Sequence, residues 1–238
     1  MMVSVGKLKI GFMIKNIVKK LRSSARQRRK KVFHANFSVN KEIKILDLGS
    51  EDGTHINELL KGFDFNPENI FIADINLSPL EAGEEKYGFN KVLIPESGRL
   101  PFDDSYFDVV FCSSVIEHVT ANKKDIMSGI TSSEFTNIAR KRQDEFASEI
   151  KRLGKSYFVQ TPNKYFLIES HSWLPFLGHL PRFMQVGILK ITNKFWVKKT
   201  HPDWLLLTYS DLKKLFPDAK ISCEKWFFLN KSFIAIGE

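Results

Sequence analysis

Cysteine is scarce in this 238-residue chain: Cys112 and Cys223 are the only two, far apart, with no Cys-x-x-Cys pair and no Cys/His cluster. That argues against a disulfide framework or a thiolate zinc site and fits a reducing compartment. No metal is expected on this reading. No stretch of about 18 residues is free of charge, so no transmembrane helix is expected. Internal repeats are also missing. Acid is absent from residues 1–31, which hold eleven Lys or Arg. Beyond them 25 basic residues stand against 27 acidic ones, so the net charge of +9 belongs to a tail on a chain otherwise at −2. With 43% apolar residues and 21 Phe, the chain can bury a substantial core, which excludes a wholly disordered protein. Its length suits one domain with an extension.

The extension is assigned to residues 1–41. Within it Ile10, Met13, Ile14, Ile17, Val18 and Leu21 recur at helical spacing, with Lys15, Lys19 and Arg22 opposite, and "RQRRKK" follows. Such a basic amphipathic helix can dock on its own domain. It can also meet an anionic membrane surface, where each nearby cation contributes roughly 1 kcal/mol. RNA contact and a targeting presequence are further uses of the same charge. The expected location is the cytoplasm, with or without membrane contact.

From residue 43 onward strand and helix patterns alternate. "KILDLG" reads as a buried strand and "THINELLKGF" as a helix closed by Gly62; "NIFIADI" is a second strand. "SPLEAGEEKYG" reads as a helix with Ser78 at its N-cap and Pro79 at its first position. "KVLIPE" is a short third strand, and "FDVVFCSS" a fourth, apolar as a strand covered on both faces should be. "SSEFTNIARKRQDEFASEIKRLG" is a long helix, "KSYFVQTPN" a fifth strand and "YSDLKKLFP" a final helix. "KISCEKWFFLNKSFIAIGE" holds two strands able to form an antiparallel hairpin at the sheet edge. The alternation implies βαβ units and a doubly wound, mostly parallel α/β sheet. Residues 164–205 break the rhythm with aromatics, prolines and histidines and are expected to form an inserted helical lid.

In open α/β sheets, ligands bind beyond the carboxyl ends of the strands. The loop Asp47–Gly53 ends the first strand, and its glycines allow backbone N–H groups to approach a ligand at a helix N-terminus. Asp74 ends the second strand, placed to accept ribose hydroxyls, and Glu96 and Ser97 after the third would flank an adenine. Loop and acid together suit NAD equally well, although "GSEDG" lacks the G-x-G-x-x-G spacing of dinucleotide sites.

"RLPFDDSYFDVVFCSSVIEHV" resembles the LPF-x-D-x-x-FD-V-x-x-x-x-V-hydrophobic-EH-V signature of class I S-adenosylmethionine-dependent methyltransferases, of the methyltransferase type 11-like branch. "ILDLGSEDG" is similar to that family's first motif, and "KSFIAIG" to its last, antiparallel strand in a seven-stranded Rossmann-like sheet. The likeness spans residues 42–238. It implies S-adenosyl-L-methionine as cofactor, with Asp47, Gly49, Ser50, Glu51 and Gly53 at its methionine end, Asp74 and Ile75 at the ribose, Glu96 and Ser97 at the adenine edge, and Ser113 as the floor. Glu51 stands where the family has a glycine; a carboxylate there can approach the cofactor's ammonium, point to water or crowd the site. His55, at the following helix start, is expected at the surface.

Methyl transfer needs alignment more than protein-borne chemistry, because the sulfonium methyl is already electrophilic. An alcohol acceptor also needs a base, for which His suits neutral pH. His118 of "VIEHV" and His171 of "TPNKYFLIESHSWLPF" are the candidates, each with a structural alternative: helix support for the first, pairing with Glu169 for the second. The second stretch is similar to a pattern found in a bacterial branch often encountered with surface-polysaccharide genes. His179 and His201 are read as structural. The lid aromatics Trp173, Phe176, Phe183, Phe195, Trp196 and Trp204 are expected to form a local core, some of them free to line an acceptor pocket. The expected acceptor is a small molecule, a glycan or a lipid-linked compound, methylated at oxygen or nitrogen. An RNA methyltransferase using the basic tail and a non-catalytic cofactor-fold protein are the alternatives.

Overall fold

The computed structural model describes residues 23–122 and 130–238. The amphipathic pattern at residues 10–21 lies outside the described residues. Seven strands, β1 (Ile45–Leu48), β2 (Ile70–Asp74), β3 (Asn90–Leu93), β4 (Phe107–Ser113), β5 (Gly154–Pro162), β6 (Lys220–Trp226) and β7 (Leu229–Gly237), form one sheet. Their order is β3-β2-β1-β4-β5-β7-β6. The first five are parallel, while β7 runs antiparallel to both β5 and β6. The expected doubly wound α/β sheet with an antiparallel final strand is therefore present. β7 slots inside the terminal hairpin and leaves β6 at the edge.

Six helices accompany the sheet among the described residues: α1 (23–36), α2 (Thr54–Leu60), α3 (Leu77–Tyr87), α4 (Ser132–Leu153), α5 (Arg182–Thr192) and α6 (Tyr209–Leu215). β1 is buried along its whole length, as a central parallel strand covered on both faces must be. Two apolar clusters lie on its two sides. One gathers Leu46, Leu48, Val110, Cys112, Val159 and Phe233 with Ala147 and Ile150 of α4. The other gathers Ile45, Ile72, Phe111 and Phe158 with Ile56 and Leu60 of α2. Helix α4 starts from a reciprocal capping box between Thr131 and Glu134 and turns Phe135, Ala139, Gln143, Ala147 and Ile150 inward at helical spacing.

Two sequence expectations need correction. Helix α3 begins at Leu77 with Asn76 at its cap, so Ser78 is not the N-cap and Pro79 falls in the third position. The cause is Asp74, whose Oδ1 accepts from Asn76 N and Asn76 Nδ2 at 3.0 and 3.2 Å and bends the chain into the helix early. The lid aromatics also divide. Trp204 is buried with Leu174, Leu177, Leu189 and Leu206, and Trp196 packs on that cluster, but Phe176, Phe183 and Phe195 are exposed. Residues 164–205 contain one helix, α5, a short turn Leu177–His179 and otherwise irregular chain.

Over residues 23–36 the basic segment is helical and lies against the domain. Phe33 is completely buried, edge-on to Phe111 and Phe158 at centroid distances of 5.9 and 5.7 Å. Arg26 pairs with Glu58, Arg28 donates to the Lys225 carbonyl, and Lys30 donates to the Glu58 and Lys61 carbonyls. Phe33→Ala is expected to destabilise the protein by about 3–5 kcal/mol. Chemical denaturation of the full chain checks this; a loss below about 1 kcal/mol would show that α1 is not part of the folded core.

Candidate functional site

Strand order reverses between β1 and β4, and the crevice beyond their carboxyl ends is where ligands enter such sheets. A cavity of about 430 Å³ lies there. Its walls come from the loop after β1 (Asp47, Gly49, Ser50, Glu51), the ends of β4 and β5 (Ser113, Gln160), the turn Ile116–His118 and the stretch from Ile168 to Trp173. Helix α1 closes one side with Ala25, Arg26 and Arg29.

The glycine loop is built for close approach. Gly49 has φ of +80°, and a Cβ there would meet the Val115 side chain at 2.5 Å. Gly53, with φ of +71°, caps α2. Glu51 also adopts a left-handed φ of +53°, a conformation unfavourable for a side chain by roughly 1–2 kcal/mol. Its N–H donates to Asp74 Oδ2 at 3.1 Å, which holds the turn, while its side chain is exposed at the cavity rim. Asp74 thus spends both oxygens on shaping the corner and does not line the cavity.

Asp47 is nearly inaccessible, and its Oδ2 has no hydrogen-bond partner; neither has the buried Oγ of Ser50. Burial, then the charge of Asp74, push the Asp47 pKa up to about 8. A buried carboxylate oxygen and a hydroxyl beside a glycine cradle suit the ammonium end of an amino-acid-bearing ligand, so these residues fit S-adenosylmethionine. Ser113 accepts from Arg29 Nη1 at 3.1 Å and donates to Gln160 Oε1 at 2.9 Å, forming the floor. The other expected cofactor contacts, Ile75, Glu96 and Ser97, are exposed and stand outside this cavity, beyond the neighbouring strand ends.

Four further polar groups converge in the same wall. Glu169 is buried; its Oε1 accepts from His171 N and His171 Nδ1, each at 2.7 Å, and its Oε2 from Ser172 N and Ser172 Oγ, each at 2.6 Å. Burial pushes its pKa up, but the His171 and Ser172 contacts outweigh this and leave it below the ordinary value. His171 lies flat on Trp204 and reaches His118 with Nε2 to Nε2 at 3.0 Å. Glu117 is fully buried. Its Oε2 accepts from Thr161 at 3.1 Å, and Oε1 has no partner, 4.0 Å from His171 Nε2. The enclosing walls, then the His171 ring, lower the His118 pKa to about 4, although the ring edge is open to the cavity. It is neutral at pH 7.

The structure therefore brings His118 and His171 into direct contact, with the expected Glu169 pairing also present. His55 is a correction: it is half-buried in the cavity wall, edge-on to Phe111, and burial followed by Arg29 and Arg26 lower its pKa to about 3. Helix α1 causes this by roofing the start of α2. Arg29 was not foreseen either; inside a run of cations nothing distinguishes one from another. It points inward and pairs with buried Glu224 at 3.1 Å. Gln160 did carry a signal, as a lone amide inside the apolar run "YFVQTP".

Residues 46–156 match a family model described as a methyltransferase domain. No curated protein sequence matches the chain. Among solved structures, a Pyrococcus horikoshii protein is similar with a TM-score of 0.54 and 14% identity, over 91% of this chain and 89% of that one. A chain of the Haloferax volcanii complex between the Trm112 activator and a methyltransferase gives 0.53 and 11%, over 94% and 96%. The magnesium protoporphyrin IX methyltransferase of Synechocystis, solved with S-adenosylhomocysteine, gives 0.51 and 12%, over 90% and 82%. These likenesses show the shared fold.

Asp47→Asn is expected to act in opposite directions on stability and binding. A carboxyl whose folded pKa is raised makes the fold lose stability as pH rises from about 4 to about 8, since the unfolded chain ionises first. The amide removes that loss, so the variant's stability should be flatter across this window while its affinity for S-adenosylmethionine falls. Urea denaturation at several pH values and calorimetric titration check both; an unchanged pH profile would show that Asp47 is already ionised in the fold.

Proposed function

We propose that this protein, a class I S-adenosylmethionine-dependent methyltransferase, methylates an oxygen or nitrogen of a small-molecule, glycan or lipid-linked acceptor held between its glycine loop and its histidine pair. The observation that carries this reading is the single cavity. Asp47, Gly49 and Ser50 line it together with His118 and His171, so a donor and an acceptor would share one space. Bound there, S-adenosylmethionine supplies an electrophilic methyl group on a sulfonium. The chain's own residues do the rest. Gly49 and Ser50 admit the donor, Asp47 takes its ammonium, and Asp74 keeps the corner in shape.

On the acceptor side, Glu169 fixes His171 with its proton on Nδ1, which leaves the Nε2 lone pair directed at His118 and the cavity. Residues 168–173 and 198 act as the lid, walling the acceptor away from bulk water. A partly open cavity of this size suits a compact acceptor or the end group of a longer one. The cations of "RQRRKK" that touch the fold face Glu58, Glu224 and backbone carbonyls, which favours this reading over RNA binding.

A lipid-linked acceptor is supported by α5. Its outer face exposes Phe183, Met184 and Ile191, with Lys190 on the same side and Phe195 and Lys194 just beyond. Apolar groups rimmed by lysine are what an anionic membrane interface receives. Among the described residues no helix is long and apolar enough to cross a membrane, so contact would be peripheral.

Two measurements test these statements. Isothermal titration with S-adenosylmethionine should show one site per chain, and an absence of binding heat would remove the cofactor reading. Vesicles containing anionic lipid should sediment the protein, and a Phe183→Ser/Ile191→Ser double variant should sediment several-fold less; equal sedimentation of both would remove membrane docking through α5.

A further inference from the structure

The structure assigns a divalent-cation site to Glu117, His118 and His171, formed where the acceptor end of the cavity meets the lid. The ligating atoms of the three side chains all lie within 4.8 Å of one another, and the two imidazole Nε2 atoms are 3.0 Å apart. Ligand atoms sharing one ion of about 2.1 Å bond length stand roughly 3–4 Å apart, so a small rotation of one side chain completes the geometry. Two histidines and one carboxylate, with further positions open to a cavity, form a donor set that suits Zn²⁺, Co²⁺, Mn²⁺ or Fe²⁺ better than Mg²⁺ or Ca²⁺.

Two features support a cation rather than a plain hydrogen-bond cluster. First, Glu117 Oε1 is buried and has no partner, yet it faces the two rings; a carboxylate oxygen left so is costly unless a positive charge answers it. Second, Glu169 accepts from His171 Nδ1, the outer-shell arrangement that fixes a ligating histidine with its Nε2 lone pair outward. With that tautomer, His171 Nε2 and Glu117 Oε1 both offer lone pairs to the gap, and His118 Nε2, which donates to His171 across 3.0 Å, becomes a third ligand once its proton sits on Nδ1. Thr161 and Trp204 hold Glu117 and His171 from behind, leaving the cavity side free.

This site deepens the methyl-transfer reading, and its chemical role rests on that reading. An acceptor hydroxyl entering the open positions would lose its proton to water more readily beside the cation. Its oxygen then attacks the methyl carbon as the carbon–sulfur bond breaks, giving a methyl ether, S-adenosylhomocysteine and one released proton. The acceptor class thereby narrows to hydroxyl compounds, a vicinal diol or catechol-like pair being best suited to two open positions.

The test uses the full chain after chelator treatment, titrated with CoCl₂ and followed by visible d–d absorption. One equivalent should bind, and affinity should fall at least about tenfold in His171→Ala, His118→Ala and Glu117→Gln. His118 is open to the cavity and Glu117→Gln keeps the shape of the side chain, so thermal melts near the parent value are expected for both. A wild-type protein that shows no band, or variants that bind cobalt as tightly as the parent, would overturn the site and leave a hydrogen-bonded histidine–carboxylate cluster. Titration with S-adenosylmethionine in the presence of chelator separates the two claims. Cofactor binding without cobalt binding refutes the metal site alone, and cobalt binding without cofactor binding refutes the donor reading alone.

Discussion

A carboxylate withdrawn from water has to be answered by donors or by positive charge, and four of them line or border one crevice here. Asp74 is answered by backbone and amide N–H groups of Glu51 and Asn76. Glu169 is answered by His171 and Ser172. Asp47 and Glu117 each keep one buried oxygen without a partner. The two satisfied acids are the structural ones, shaping the cofactor corner and the lid. The two incompletely satisfied ones both line the cavity. The desolvation that makes such oxygens expensive also strengthens their attraction for a positive charge brought beside them.

Holding such a site requires that the irregular chain around it be pinned. Helix α4 does much of this through Gln143, whose buried Nε2 donates to the Ile116 carbonyl at 3.1 Å and the Leu205 carbonyl at 3.0 Å. Leu205 N in turn donates to the Glu117 carbonyl at 2.8 Å. The turn bearing Glu117 and His118 is thereby tied to the far end of the 164–205 segment, and His171 is carried to them. Backbone strain collects here as well. Glu51, Ser114 and Trp173, three of the six non-glycine residues with positive φ among those described, line the cavity. Each such residue costs on the order of 1–3 kcal/mol and persists because the surrounding fold over-determines it.

Much of the architecture was legible in the residues. The apolar strands, their spacing, the glycine loop and Asp74 follow from local periodicity and turn chemistry, and the strand order agrees with the doubly wound reading. Local rules misplaced the start of α3 because Asp74, fixed by a tertiary turn, overrides the preference for Ser at a cap. They drew the lid aromatics into a local core or pocket lining because hydrophobicity says that a ring prefers an apolar neighbour, not whether one is within reach. Phe176, Phe183 and Phe195 remain mostly exposed.

The chain read by itself pointed to the sheet class, the glycine loop after the first strand and the pair His118 and His171. These depend on short-range spacing, which a linear text preserves. Folding alone decided that His171, 53 positions from His118 in sequence, would end 3.0 Å from it. Folding also decided that one arginine of a basic run would turn inward to Glu224, and that Glu117 would be sealed from water with an oxygen to spare. Those outcomes arise from which surfaces close on each other, and contact between residues distant along the chain leaves no periodicity to read.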